Sequence, residues 1–261
     1  MSSITIETIK QAADRIGPYI NRTPLLRFHS LERRLRTPVY LKCENFQLTR
    51  SFKVRGAFNA LLTLNSRERG VVTCSSGNFA QAISYAASLL NIPATIVMPT
   101  NAPKVKIDRT KAFGVTPLLF GIRHEESEAK VREISEQEGK CILSPYNHER
   151  VVAGQGTAGL EIVEDLPDVL TYVTPIGGGG LAAGTATAIK GYSKSTDHLE
   201  VLTPLEQYCE HEPQLYARQT PSAASDRALV FLLRRNVICA RQSCFLNHYR
   251  LTAGSLQAHL Q

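Results

Sequence analysis

Thr174-Pro175-Ile176-Gly177-Gly178-Gly179-Gly180-Leu181-Ala182-Ala183-Gly184 decides how the rest of the chain is read. Four consecutive glycines stand between an apolar run over residues 169–176 and an alanine- and threonine-rich helical stretch. A flexible linker would not carry such flanks, so a phosphate cradle ranks above it. Without side chains the backbone can close around a phosphate, and successive N–H groups, with the dipole of the following helix, supply the positive field. Gly178, Gly180 and Ala183 also satisfy a G-x-G-x-x-A dinucleotide pattern, with Glu200 about twenty residues further on. Placement argues against that reading. The ribose-binding acid belongs at the far end of the second strand, whereas Glu200 precedes Val201 and Leu202, and the loop lies late in the chain. A Walker loop is excluded because no Gly-Lys-Ser/Thr follows the glycines.

Working outward, Val72-Thr73-Cys74-Ser75-Ser76-Gly77-Asn78-Phe79-Ala80-Gln81 runs from an apolar strand into a helix with Asn78 near its cap. Alone, this is an ordinary capped turn. In a site, its free N–H groups and serine hydroxyls suit a carboxylate or phosphate, and Asn78 can hydrogen-bond a phenolic oxygen as donor or acceptor. The pattern predicts strands over 39–42, 71–74, 94–98, 116–120 and 170–174 and helices over 53–64, 79–90, 104–113, 125–138 and 181–190, with Gly114 and Gly139 as stops. Such alternation is that of an α/β fold, mostly parallel sheets with helices on both faces. Glu125, Glu126, Glu128, Lys130, Arg132, Glu133 and Glu136 read as a solvated helix face. Residues 228–233 suit a helix or a buried strand. No internal repeat or low-complexity segment is present.

Ser51-Phe52-Lys53-Val54-Arg55-Gly56-Ala57 puts one lysine just inside a helix start. A lysine amine captures a carbonyl only when partly deprotonated, which burial and neighbouring positive charge promote; Phe52 offers the apolar wall and Arg55 the charge. By itself the stretch is equally a surface lysine on a helix, and its meaning depends on the other two segments.

In this order, the three segments resemble the threonine/serine dehydratase and serine racemase family of pyridoxal-phosphate enzymes, the tryptophan-synthase-β-like group of fold type II. The resemblance runs from about Thr23 to Lys194 and takes in Thr23-Pro24-Leu25, Leu41-Lys42-Cys43-Glu44-Asn45-Phe46-Gln47, Ala94-Thr95-Ile96-Val97-Met98-Pro99 and Ala153-Gly154-Gln155-Gly156-Thr157. It implies a two-lobed molecule. Residues 1–69 with 148–261 would form a large cofactor-binding lobe, incomplete and atypical over 195–261, and residues 70–147 a small lobe, with the cofactor between them. Lys53 would carry pyridoxal 5′-phosphate as a Schiff base, Phe52 would pack on its ring, Asn78 would contact the ring hydroxyl, and Gly177, Gly178, Gly179 and Gly180 would hold the phosphate. Ser75, Ser76, Gly77 and Asn78 would bind the substrate carboxylate. The implied reaction is β-elimination of L-threonine or L-serine to a 2-oxo acid and ammonia. The freed Lys53 takes the Cα proton, and the cofactor phosphate, as the family is understood, protonates the leaving hydroxyl. Ser76 matches the position where serine racemases place a hydroxyl opposite the lysine, which makes racemisation of serine the alternative to its role in the carboxylate loop.

Two substitutions depart from the family pattern. Arg50 stands where the family usually has glycine, and would be strained if that position needs positive φ. Phe79 replaces a common histidine. Beyond Lys194 the cations are all arginine, the only glycine after Gly191 is Gly254, and no small polar residue aligns to face the pyridine nitrogen; Ser243, Cys244 and Ser255 are chemically suitable but lack a motif. Glu200 and Glu206 are loose candidates for the divalent cation of some relatives, with no motif to support it. A shifted reading frame, an alternative terminus or a truncated gene would produce such a break, so a catalytically impaired or inactive relative is the third reading.

The 261 residues, 43% hydrophobic and 20% charged, suffice for a substantial core. The net charge of +7 is a modest solubility charge, and no basic run with interleaved aromatics indicates nucleic acid. Cys43, Cys74, Cys141, Cys209, Cys239 and Cys244 form no C-x-x-C pair, as expected of reduced thiols in a cytoplasmic protein. The first 16 residues contain Glu7 and Asp14 and lack a signal-peptide core, and no apolar run is long enough to span a bilayer. The expected partner is a small amino-acid substrate, with a homo-oligomer implied by the resemblance.

Overall fold

The alternation resolves into two four-stranded sheets in the computed structural model, which describes residues 4–169, 171–192 and 229–232. In chain order the elements are α1 (Ile6–Ile16), β1 (Leu25–Arg27), α2 (His29–Leu35), β2 (Val39–Lys42), α3 (Lys53–Leu62), β3 (Val71–Cys74), α4 (Asn78–Leu90) and β4 (Ala94–Met98). They continue with α5 (Lys104–Ala112), β5 (Leu118–Leu119), α6 (His124–Glu138), β6 (Cys141–Ile142), α7 (Glu149–Asp165), β7 (Thr171–Val173), α8 (Gly180–Tyr192) and β8 (Leu229–Leu232). The first sheet has the order β1-β2-β8-β7, with β1 antiparallel to β2 and the other pairs parallel. In the second, β5-β4-β3-β6, every pair is parallel.

Central strands of a parallel sheet are covered on both faces, so they read as continuous apolar runs. Val71, Val72 and Thr73 of β3 are fully buried for this reason. One core joins Val54, Phe58 and Leu61 of α3 to Phe79 and Ile83 of α4, Ile96 of β4 and Val151 of α7. A second joins Ile9 of α1 to Ile162 and Val163 of α7, Tyr172 of β7 and Ile189 of α8. Glycines set how closely the central helices approach. A Cβ on Gly154 of α7 would lie 2.6 Å from the carbonyl oxygen of Arg55, and one on Gly156 2.9 Å from that of Gly184 in α8.

Differences from the expected elements have local causes. The strand expected over 116–120 shrinks to β5 because Pro117 has no N–H for the ladder. Helix α3 stops at Leu62 rather than at residue 64, where Thr63 Oγ1 donates back to the carbonyl of Asn59 at 2.6 Å. Glu126 does more than face solvent: its Oε2 accepts from the amides of Ile122 and Arg123 at the start of α6, at 2.7 and 2.9 Å. Between the two readings for residues 228–233, the backbone is that of a strand, β8. The strand expected over 170–174 spans Thr171–Val173. Helices α1, α2 and α7 and the short strands β1 and β6 were not anticipated. Among the described residues, no helix is long and apolar enough to cross a membrane.

Candidate active site

Lys53 opens α3, and the loop that presents it begins at Arg50, whose φ of 57° lies in the left-handed region. Arginine is therefore strained where the sequence pattern expected glycine. The half-buried Lys53 amine lies 5.2 Å from the ring centroid of Phe52 and 5.7 Å from that of Phe79. It donates to the carbonyl oxygen of Pro145 at 2.6 Å. The next residue, Tyr146, is the floor of the glycine turn. A Cβ on Gly178 would stand 2.1 Å from Tyr146 Cγ, and one on Gly180 2.5 Å from the Tyr146 carbonyl oxygen. Gly179, at φ +84°, would point its Cβ into open space. Lys53 and the glycine turn are thus joined through two consecutive residues.

The helix that follows the turn is α8, and its first N–H groups have no intrahelical acceptor by construction. Among the described residues, the amides from Gly178 to Ala182 find none elsewhere. On the third side, Ser75 extends β3 by donating its amide to Val97 at 3.2 Å, and its hydroxyl accepts from the Gly77 amide at 3.3 Å. Ser76 and Asn78 are half-buried, and neither side chain has a hydrogen-bond partner among the described residues. A Cβ on Gly77 would meet nothing within 4 Å. Phe79, the residue after Asn78, is the wall that this turn contributes to Lys53.

Behind α3 lies a buried ionic network that holds the helix in place. Arg55 is fully buried, with Nε and Nη2 donating to Glu44 at 2.9 and 2.8 Å, Nη1 and Nη2 to Glu161 at 2.6 and 2.9 Å, and further bonds to Thr157 and Thr23. Lys42 is equally buried, 2.7 Å from Glu161 Oε2 and 2.6 Å from the Thr23 carbonyl oxygen. Burial pushes the Glu161 carboxyl up, but Arg55 and Lys42 more than offset this and hold it below the usual carboxylate range. Beside the serine turn, burial and then Glu128 push the Cys74 thiol up to about 11, so it rests as a thiol against His124 Nδ1 at 3.5 Å.

Sequence reasoning did not find Pro145 or Tyr146, which carry no chemical signature of their own. Arg55, expected to supply positive charge for Lys53, is instead fully buried and commits its guanidinium to Glu44 and Glu161; the other charges of the network were passed over, and their signal was Lys42 inside a strand with Glu44 two residues on. Among the described residues, no group of three His, Cys, Asp or Glu side chains could hold a metal ion. Glu200, Glu206, Ser243, Cys244 and Ser255 lie outside the described residues.

Residues 16–210 match the pyridoxal-phosphate dependent enzyme family. The chain belongs to that family. It is 45% identical over 189 residues to the catabolic L-threonine dehydratase of Escherichia coli (strain K12), covering 72% of this chain and 57% of the relative. An L-threonine ammonia-lyase of Geobacter sulfurreducens is 42% identical over 185 residues, covering 70% of this chain and 46% of that protein. The chain therefore spans about half the length of these curated relatives. Among solved structures, maize serine racemase superposes with a TM-score of 0.74 at 37% identity, covering 77% of this chain and 61% of that one. The α/β fold with parallel sheets is that of the fold type II members of the family.

Proposed function

We propose that this chain carries the cofactor site of a pyridoxal-phosphate dependent ammonia-lyase acting on L-threonine or L-serine and releasing a 2-oxo acid. The observation that carries the proposal is the Lys53 amine between Phe52 and Phe79, on the carbonyl of Pro145, whose neighbour Tyr146 floors the glycine turn. The residues fit the cofactor. The turn formed by Gly177, Gly178, Gly179 and Gly180 has no side chains to exclude a phosphate, and its amides from Gly178 onward are free among the described residues. Asn78 has an amide unengaged among the described residues that would meet the ring hydroxyl, Phe52 would pack against the ring, and Lys53 would supply the amine for the Schiff base. Bound there, pyridoxal phosphate supplies an electron sink for chemistry at the α-carbon of an amino acid.

The remaining work belongs to the protein. Ser75, Ser76, Gly77 and Asn78 hold the substrate carboxylate at the start of α4 and fix the angle at which the α-carbon meets Lys53. Lys53 takes the α-proton at Nζ. Phe52 and Phe79 keep water from the amine, and closure of a small lobe over residues 70–147 upon the flanking large lobe, residues 1–69 and 148–261, seals the cleft. A cytoplasmic location and assembly from several copies belong to the same reading.

The Ser76 hydroxyl favours a second reading. It is half-buried and without a partner among the described residues, and in this reading it returns a proton to the α-carbon from the side opposite Lys53, which would racemise serine.

Reconstitution with pyridoxal phosphate tests the proposal. A near-visible Schiff-base band is expected, fixed to Lys53 by borohydride and absent in Lys53→Ala. Ammonia and 2-oxo acid mark the lyase and D-serine the racemase. A protein that takes up no cofactor under these conditions refutes both readings.

A further inference from the structure

A cavity of about 290 Å³ lies away from Lys53, lined by Leu64, Asn65, Ser66, Arg69, Gly139, Cys141, His148, Glu149 and Arg150. Its walls come from the two places where the chain changes sheets, together with Gly139 at the end of α6, Cys141 in β6, and Glu149 and Arg150 in the first turn of α7. Residues 63–70 carry it from α3 into β3, and residues 143–148 carry it from β6 back to α7. Arg69 arches over Gly139, where a Cβ would stand 3.2 Å from its Nη1, and its guanidinium has no hydrogen-bond or ion-pair partner among the described residues. Arg150 spends one nitrogen on the Thr63 carbonyl at 2.5 Å, while its own carbonyl accepts from Asn59 at 2.6 Å. His148 accepts the Arg150 amide at Nδ1, 3.3 Å away, which leaves Nε2–H as its donor. Burial, and then Arg150, lower the His148 pKa, so near neutral pH the ring offers a neutral N–H donor and the positive charge comes from the arginines. The one carboxylate on the wall, Glu149, already has a partner.

We propose that this cavity binds a small phosphate-bearing anion, inorganic phosphate or a phosphomonoester, and that the bound anion ties the two sheet-to-sheet crossings together. Arg69, Arg150, His148, Ser66 and Asn65 line it together, a donor-rich wall, and the planar fork of arginine suits a phosphate oxygen pair. The volume is at the lower end of small-molecule sites, which favours a compact phosphate over a dinucleotide. Pro145, which holds the Lys53 amine, sits three residues before His148 in the return crossing. An anion that stiffens this crossing would steady Pro145 and Tyr146 beneath the glycine turn. That coupling rests on the cofactor reading above, whereas anion binding in the cavity does not.

Calorimetric titration of the full chain tests the binding, with inorganic phosphate and glycerol 3-phosphate as separate probes at fixed ionic strength, before and after incubation with pyridoxal phosphate. Saturable binding of at least one probe is expected under both conditions, weakened by about tenfold or more in Arg69→Ala and in Arg150→Ala. The stronger probe distinguishes free phosphate from a monoester as the occupant. Hydrogen exchange is expected to slow across residues 63–70 and 143–150 on adding the probe to wild type, and not in the exposed-site variant Arg69→Ala. Superimposable isotherms for wild type and Arg69→Ala overturn the proposal, as does an absence of saturable heat. Loss of all binding once pyridoxal phosphate has been fixed to Lys53 by borohydride and the excess removed also overturns it, by placing the anion in the glycine turn. The Arg69 comparison reads out whether or not the chain takes up cofactor, so failure here is separable from failure of the proposed function.

Discussion

Replacing Arg55 by methionine tests what anchors the lysine-bearing helix. Arg55 and Lys42 balance Glu44 and Glu161 in a pocket where Arg55, Lys42 and Glu44 are all fully buried. Methionine fills much of the volume but removes all six hydrogen bonds of the guanidinium. Lys42 can still neutralise Glu161, so the uncompensated charge falls on Glu44, left with the Thr23 hydroxyl at 2.6 Å. Breaking a buried pair by removing one partner costs about 3–5 kcal/mol. At about 2–4 °C per kcal/mol for a domain of this size, the thermal midpoint should fall by roughly 6–20 °C. Urea unfolding followed by far-ultraviolet circular dichroism measures the loss as a shift in midpoint at constant slope. Arg55→Met combined with Glu44→Gln removes the stranded charge and should recover more than half of it. A loss below about 1 kcal/mol in the single variant, or a double variant no more stable than the single, would refute the reasoning, because desolvated charge would not then be the governing quantity.

The same network predicts a direction with pH. Glu161 has its pKa lowered in the folded protein, so its contribution is complete above the ordinary carboxylate value of about 4.3 and disappears as pH falls through the lower folded value. Wild-type stability should therefore drop in that acidic window, and the drop should flatten in Arg55→Met, as read by urea midpoints across pH. Arg50→Gly relieves a left-handed arginine and should raise stability by about 1 kcal/mol, or about 2–4 °C in midpoint; a lowered midpoint would contradict the strain. Gly178→Ala drives a Cβ to 2.1 Å from Tyr146 Cγ, and overpacking of about 1–3 kcal/mol should weaken pyridoxal phosphate uptake roughly tenfold or more, measured from Schiff-base absorbance. Unchanged uptake would show that Tyr146 yields without disturbing the turn.

The legible parts of the sequence were those whose chemistry is local. Strands β2, β3 and β4 coincide with the expected spans because buried parallel strands are short apolar runs bounded by turn residues. Arg50 could be read as strained because a glycine position with positive φ is a property of one residue. Helix α7 escaped notice because Gly154, Gly156 and Gly159 look like helix breakers, although each glycine is there to let a neighbouring helix backbone come close. Helix α1 begins with a capping box between Thr5 and Thr8, a weaker signal than the usual serine or threonine paired with glutamate. The roles of Pro145 and Tyr146 were hidden for another reason. Each depends on a contact with residues far away in sequence, Lys53 in one case and Gly178 and Gly180 in the other, and neither has a local pattern that reports it.

The order of the first sheet bears on how the chain comes into being. Strand β8 pairs with β2 on one side and with β7 on the other, so residues 229–232 join two strands made much earlier in synthesis. Until a ribosome has released them, β2 and β7 each present an open row of amide and carbonyl groups, ready to recruit a strand from another nascent chain. Closure then waits for a contact spanning nearly two hundred residues from Val39 to Leu229, a slow step by its topology alone. In a crowded cell, the yield of native protein would depend on how well chaperones cover that gap.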